Sequence, residues 1–167
     1  MPSSEAELNN YDVVIADFCS SLGTQGAGYI RDYVHAGGST IILGDMCGTA
    51  EGDARDIATF LTKEWGITFG TQDNTSVQEF YSISPHPITG GVKKIAGCCS
   101  FLQVSQPSQT LVSQGKYDFL AFYDGQGTVV AISGALFYTN WRGLDNDNFV
   151  LWQNTIGWLI QKAHEKR

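Results

Sequence analysis

Residues 11–45, YDVVIADFCSSLGTQGAGYIRDYVHAGGSTIILGD, change periodicity twice. Val13-Val14-Ile15-Ala16 and Thr40-Ile41-Ile42-Leu43 are short, unbroken runs rich in β-branched residues, the pattern of strands covered on both faces. Between them Ala27, Ile30 and Val34 recur at helical spacing, and Gly37-Gly38 offers the positive-φ freedom that closes a helix. Parallel strands need a crossover of a dozen or more residues. The stretch therefore predicts a right-handed βαβ unit. Gly23-Thr24-Gln25-Gly26-Ala27-Gly28 opens the crossover helix, with Thr24 as its N-cap. Its spacing is not G-x-G-x-x-G and it lacks a P-loop lysine, so it reads as a turn rather than a phosphate cradle.

Toward the C-terminus, Ala54, Ile57, Ala58, Leu61 and Trp65 predict a second amphipathic helix capped by Asp53 and ending before Gly66. From Thr68 to about Thr110 the pattern weakens, and only short strands and loops are expected. Tyr117 to Tyr123 and Thr128 to Ser133 read as strands joined by Asp124-Gly125-Gln126-Gly127, an antiparallel hairpin. Phe149, Trp152, Ile156, Leu159, Ile160 and Ala163 fall on one face of a final helix, with Asp147 or Asn148 as N-cap.

The length of 167 residues fits a single domain, 1–167. With 43% hydrophobic and 16% charged residues the chain has enough apolar side chains for a core. The net charge of −7 argues against nucleic acid and anionic membrane surfaces as partners. No run approaches the ~20 apolar residues of a membrane span, and Met1 to Asn10 is polar, so a cytoplasmic location is expected. Cys19, Cys47, Cys98 and Cys99 form no CxxC pair. They are expected as reduced thiols without a metal. No cofactor is implied.

Four segments in order resemble the class I glutamine amidotransferase-like superfamily, in a branch near trehalose-utilisation proteins and domains attached to transport or ciliary assemblies. They are Tyr11 to Ile15, Tyr33 to Asp45, His86-Pro87-Ile88-Thr89-Gly90-Gly91-Val92, and Gly127 to Ile132 followed by Asn146 to Leu159. The resemblance implies a flavodoxin-like three-layer α/β domain with a mainly parallel sheet. Family members have a strand, a helix and a second strand before the segment matching Tyr11, where this chain has ten residues. That departure leaves the edge of Tyr11–Ala16 open and predicts a homodimer through it. The alternative is that Thr68–Thr110 folds back as the cover.

Catalytic members of the superfamily hold a nucleophile as the central Cys of a G-x-C-x-G turn. Here the turn is Gly44-Asp45-Met46-Cys47-Gly48, so Met46 occupies the centre and Cys47 falls one residue late. The resemblance therefore implies a non-catalytic branch. A cysteine nucleophile also needs an oriented imidazole. His35 and His164 lie near helix C-termini, which leaves His86, between two prolines, as the candidate base and Asp45 as the orienting acid for an alternative hydrolase or amidotransferase. Asp145-Asn146-Asp147-Asn148 lacks the ligand spacing of a calcium loop and is expected to cap a helix. Open sheets bind ligands beyond the C-terminal ends of their strands. That rule nominates Asp17, Cys19, Asp45, Cys47 and His86, and the loop Tyr138 to Arg142 adds Asn140 and Trp141, an amide beside an aromatic, suited to sugar stacking or protein contact. A small ligand, carbohydrate among them, or a partner protein is the expected occupant.

Overall fold

The computed structural model describes residues 4–17, 22–44, 51–70, 78–97, 100–134 and 146–166. A one-turn helix α1 (Glu5–Leu8) leads into β1 (Val13–Asp17), α2 (Thr24–His35) and β2 (Ser39–Leu43). β1 and β2 are parallel, with Val13 opposite Ser39 and Asp17 opposite Leu43, as the βαβ pattern requires. Gly37 ends α2 at φ 100°, a conformation that strains any L side chain. Two caps differ from expectation. Gly23, not Thr24, holds the N-cap position of α2 and makes no side-chain bond there, and α3 (Glu51–Thr62) begins before Asp53, which lies inside the helix.

Short strands occupy the weakly patterned middle: β3 (Ile67–Phe69), β4 (Gln78–Phe80), β5 (Ser82–Ile83), β6 (Ile95–Gly97), β7 (Leu102–Val104) and β8 (Gln109–Gln114). β9 (Tyr117–Asp124), β10 (Thr128–Ile132) and α4 (Asn148–Lys166) follow. The mainly parallel, flavodoxin-like sheet is not what forms. The principal sheet has eight strands, with the path β1-β2-β10-β9-β7-β3 and with β8 joining β9 to β5. Parallel pairing is confined to β1–β2 and β2–β10. Every other described pairing is antiparallel. The physical reason is connectivity. A parallel neighbour requires a long crossover, whereas residues 115–116 and 125–127 join β8 to β9 and β9 to β10 as tight turns.

The alternation of β2, β9 and β10 divides the core between two faces. Ile42, Ala121, Val129 and Ala131 pack with Ile30, Val34 and Leu61 of α2 and α3. Ile41, Phe122, Val130 and Ile132 pack with Ile88, Leu151 and Leu159 on the α4 side. Being covered twice, β2 and β10 are buried at all five positions each.

α4 sits rotated from its expected face. Asn148, Leu151, Thr155, Trp158, Leu159 and Ala163 are buried, whereas Phe149 is 50% and Ile160 37% exposed. Two polar residues lie in the buried stripe because both find backbone partners: Thr155 Oγ1 donates to Leu151 O at 2.7 Å, and Asn148 bonds Ala96. The far end of α4 is tied to the β9–β10 turn. Lys166 Nζ lies 2.7 Å from Asp124 Oδ1 and 2.9 Å from Gly127 O, and Lys162 Nζ lies 2.8 Å from Asp124 Oδ2. No helix among the described residues is long and apolar enough to cross a membrane.

Candidate functional site

β1, β2 and β10 end side by side, with Asp17, Leu43 and Ile132 in register. This is the crevice position of an open sheet, where strand ends leave backbone groups and loops for a ligand. The floor is tightly tied. Gly44 N–H donates to Ile132 O at 2.9 Å, and Ser133 N–H to Phe119 O at 2.9 Å. Ser100 Oγ lies 3.1 Å from Gly44 O and also bonds Ser133 O, lacing the ends of β2 and β10 together. The Phe69 ring presses on Gly44, where a Cβ would stand 2.3 Å from it. That approach excludes any side chain at position 44. Ser133 Oγ is buried and has no partner among the described residues.

Of the residues nominated from sequence, Asp17 stands at the end of β1, half-buried. Asp45 and Cys47 follow Gly44 in the chain, Asn140 and Trp141 follow β10, and all four lie outside the described residues, as do Cys19, Cys98 and Cys99. His86 is not brought to the strand ends. It precedes a 3-10 turn (Pro87–Thr89), where its Nδ1 accepts the Ile88 N–H at 3.2 Å. Its ring lies 4.5 Å from that of Phe122 and 4.9 Å from that of Trp158, centroid to centroid. Burial lowers its pKa, with Asp124 raising and Lys162 lowering it further. The neutral ring is what an accepting Nδ1 needs. Phe122 is opposite Val130, which is opposite Ile41, so the ring stands two strands across and three residues back from Gly44, about 14 Å by strand geometry.

The other imidazoles are farther still. His35 Nε2 is 3.0 Å from Glu64 Oε1, just before β2 begins. His164 Nε2 is 3.6 Å from Asp12 Oδ1, just before β1 begins. Both stand at the opposite end of the parallel strands.

The Asn146-Asp147-Asn148 run spends its oxygens on the chain itself. Asp147 Oδ2 accepts the Lys93 and Lys94 N–H groups at 2.7 and 3.0 Å. Asn148 Oδ1 accepts the Ala96 N–H at 2.9 Å while its Nδ2 donates to Ala96 O at 2.7 Å. Oxygens that receive N–H groups serve a cation poorly. Among the described residues no three His, Cys, Asp or Glu are grouped to hold a metal ion.

Two residues at this end escaped sequence analysis. Ser100 came from the weakly patterned middle, where nothing marks its role. Asp118 sits on β9 beside Phe119, opposite Leu102 and Ser113. Burial raises its carboxyl pKa, and a bond with Thr110 offsets this in part. The one signal was an acid inside the apolar run Tyr117–Tyr123.

No family model matches the chain, and no curated protein matches it. Solved structures do. The chain is similar to the mmIFT52 N-terminal domain at 16% identity and a TM-score of 0.72, over 96% of this chain and 82% of that one. It is similar to a ThuA-like protein from Bacteroides uniformis at 13% identity and a TM-score of 0.62, over 93% and 72%. A GMP synthase component from Thermoplasma acidophilum follows at 11% identity and a TM-score of 0.63, over 98% and 79%. At such identities the likeness is one of fold. The chain has the fold of ThuA-like and glutamine amidotransferase-like proteins.

Proposed function

We propose that this chain is a non-catalytic domain of amidotransferase-like fold that binds a small polar ligand of the carbohydrate class beyond the C-terminal ends of β1, β2 and β10. Asp17, Asp45, Asn140 and Trp141 are its proposed contacts, the carboxylates and amide as hydrogen-bonding groups and the indole as a stacking surface. The observation that supports the non-catalytic part is the position of the histidines. A thiol nucleophile needs an imidazole within hydrogen-bond reach. All three imidazoles are engaged elsewhere, on Ile88 N–H, Glu64 and Asp12, away from the strand end at which the Gly44–Gly48 turn begins. Met46 at the centre of that turn points the same way. Four cysteines without a CxxC pair accord with a reducing, cytoplasmic setting.

Two measurements on the whole chain test this. Maltose and cellobiose are titrated against tryptophan emission, and the response is expected to disappear in Trp141→Phe. Glutamine hydrolysis is expected to be absent and unaffected by Cys47→Ala, and Cys47 to alkylate at the rate of an ordinary thiol. Glutamine hydrolysis that Cys47→Ala abolishes would replace the binding domain with the cysteine-dependent enzyme.

A further inference from the structure

Among the described residues β1 pairs with β2 alone. Its second edge therefore presents backbone N–H and C=O groups to whatever approaches, and such edges template strand addition. The middle of the chain does not cover it, because β3, β5, β7 and β8 lie beyond β9 at the other side of the sheet. On β1 itself Ile15 is 48% exposed. It shares a face with Val13, which packs into the α4-side core.

α4 adds a second surface to this edge. One flank of the helix faces the 86–90 segment, where Asn154 Nδ2 donates to Ile88 O and Gly90 O at 3.1 and 2.8 Å and Trp158 meets His86. At 3.6 residues per turn, Phe149, Trp152, Ile156 and Ile160 fall on the opposite flank, toward β1. Phe149 and Ile160 are exposed, and Trp152 and Ile156 are half-buried. From Phe149 to Ile160 the helix carries no charged residue. An open strand edge and an apolar helix flank thus run alongside each other.

We propose that this surface binds a second copy of the chain, with β1 pairing antiparallel to its counterpart about a twofold axis normal to the sheet. Such an axis maps each face of the sheet onto itself. Two β1 strands join the sheets, and the two α4 helices come to lie flank against flank on the same side. An uncharged apolar stripe complements its own image, and the twofold buries it isologously. A lone peptide strand satisfies the β1 edge and leaves the helix flank in water; a second copy covers both. The six apolar side chains together expose about 400 Å², the size at which a surface patch on a monomer carries an interaction. Strand pairing and the surrounding rim bring each partner toward the ~800 Å² of a standard interface.

Light scattering at micromolar concentration tests this on the wild-type chain, Ile15→Lys and Ile160→Glu. Both substitutions fall at exposed positions, and far-UV circular dichroism confirms that each variant keeps its fold. The wild type is expected at twice the monomer mass and both variants at the monomer mass. A monomeric wild type, or a dimer that persists in either folded variant, overturns the proposal.

Discussion

Asn148→Ala is expected to be one of the most damaging single substitutions in this chain. Asn148 is fully buried and Ala96 is 4% exposed. The side-chain amide pairs with both backbone groups of Ala96, at 2.9 and 2.7 Å, and so fixes β6 to the start of α4. Alanine removes two hydrogen bonds and leaves a buried N–H and a buried C=O without partners. Each lost bond is worth roughly 1 kcal/mol and each stranded group adds desolvation, so the sum is about 2–4 kcal/mol. Against a typical domain stability of ~5–15 kcal/mol this is a large share. At this chain length it lowers Tm by roughly 5–15 °C. Asn148→Asp supplies the control. Its carboxylate still accepts the Ala96 N–H but sets an oxygen against Ala96 O, so it destabilises at neutral pH and recovers as the carboxyl protonates and can donate. Urea denaturation monitored by circular dichroism measures both. A loss in Asn148→Ala below about 0.5 kcal/mol, the range of ordinary surface changes, would refute the assignment.

Burial lowers the His86 pKa, so the folded state takes up its proton later than the unfolded chain. Its contribution to stability is complete above the unfolded imidazole pKa of ~6.5 and declines as pH falls below it. Urea midpoints between about pH 7.5 and 5.5 should therefore fall more steeply in the wild type than in His86→Gln; equal slopes would contradict the packing of the neutral ring. Asp118 has the opposite sign. Burial raises its pKa, so its charged form opposes folding at neutral pH. Asp118→Asn, which can still accept from Thr110, should raise the midpoint at neutral pH, with the gain shrinking as pH falls into the carboxylate range. An unchanged or lowered midpoint would mean that the carboxylate is engaged by a partner.

Where information was local, the residues themselves carried it. The βαβ unit follows from two β-branched runs, one helical period and a glycine pair, all within residues 11–45, and the β9–β10 hairpin follows from two strand patterns flanking Gly125 and Gly127. The crevice end of the sheet was equally legible, because parallel strands fix where Asp17 and Gly44 must end. Only the tertiary structure decided the rest. Strand direction in the middle of the chain depends on pairing between distant segments such as Leu102 and Asp118, and short strands carry no mark of their neighbours. The buried face of α4 was misplaced because apolar residues cover two overlapping arcs of the helix. Asn148 and Thr155 finding backbone partners selects between those arcs. For His86 the flanking prolines announced a turn, but a turn does not say which end of a sheet it meets. Its place against Phe122 and Trp158 is fixed by how residues 86–90 pack on α4, an interaction spanning some 70 residues of chain that hydrophobic period cannot encode.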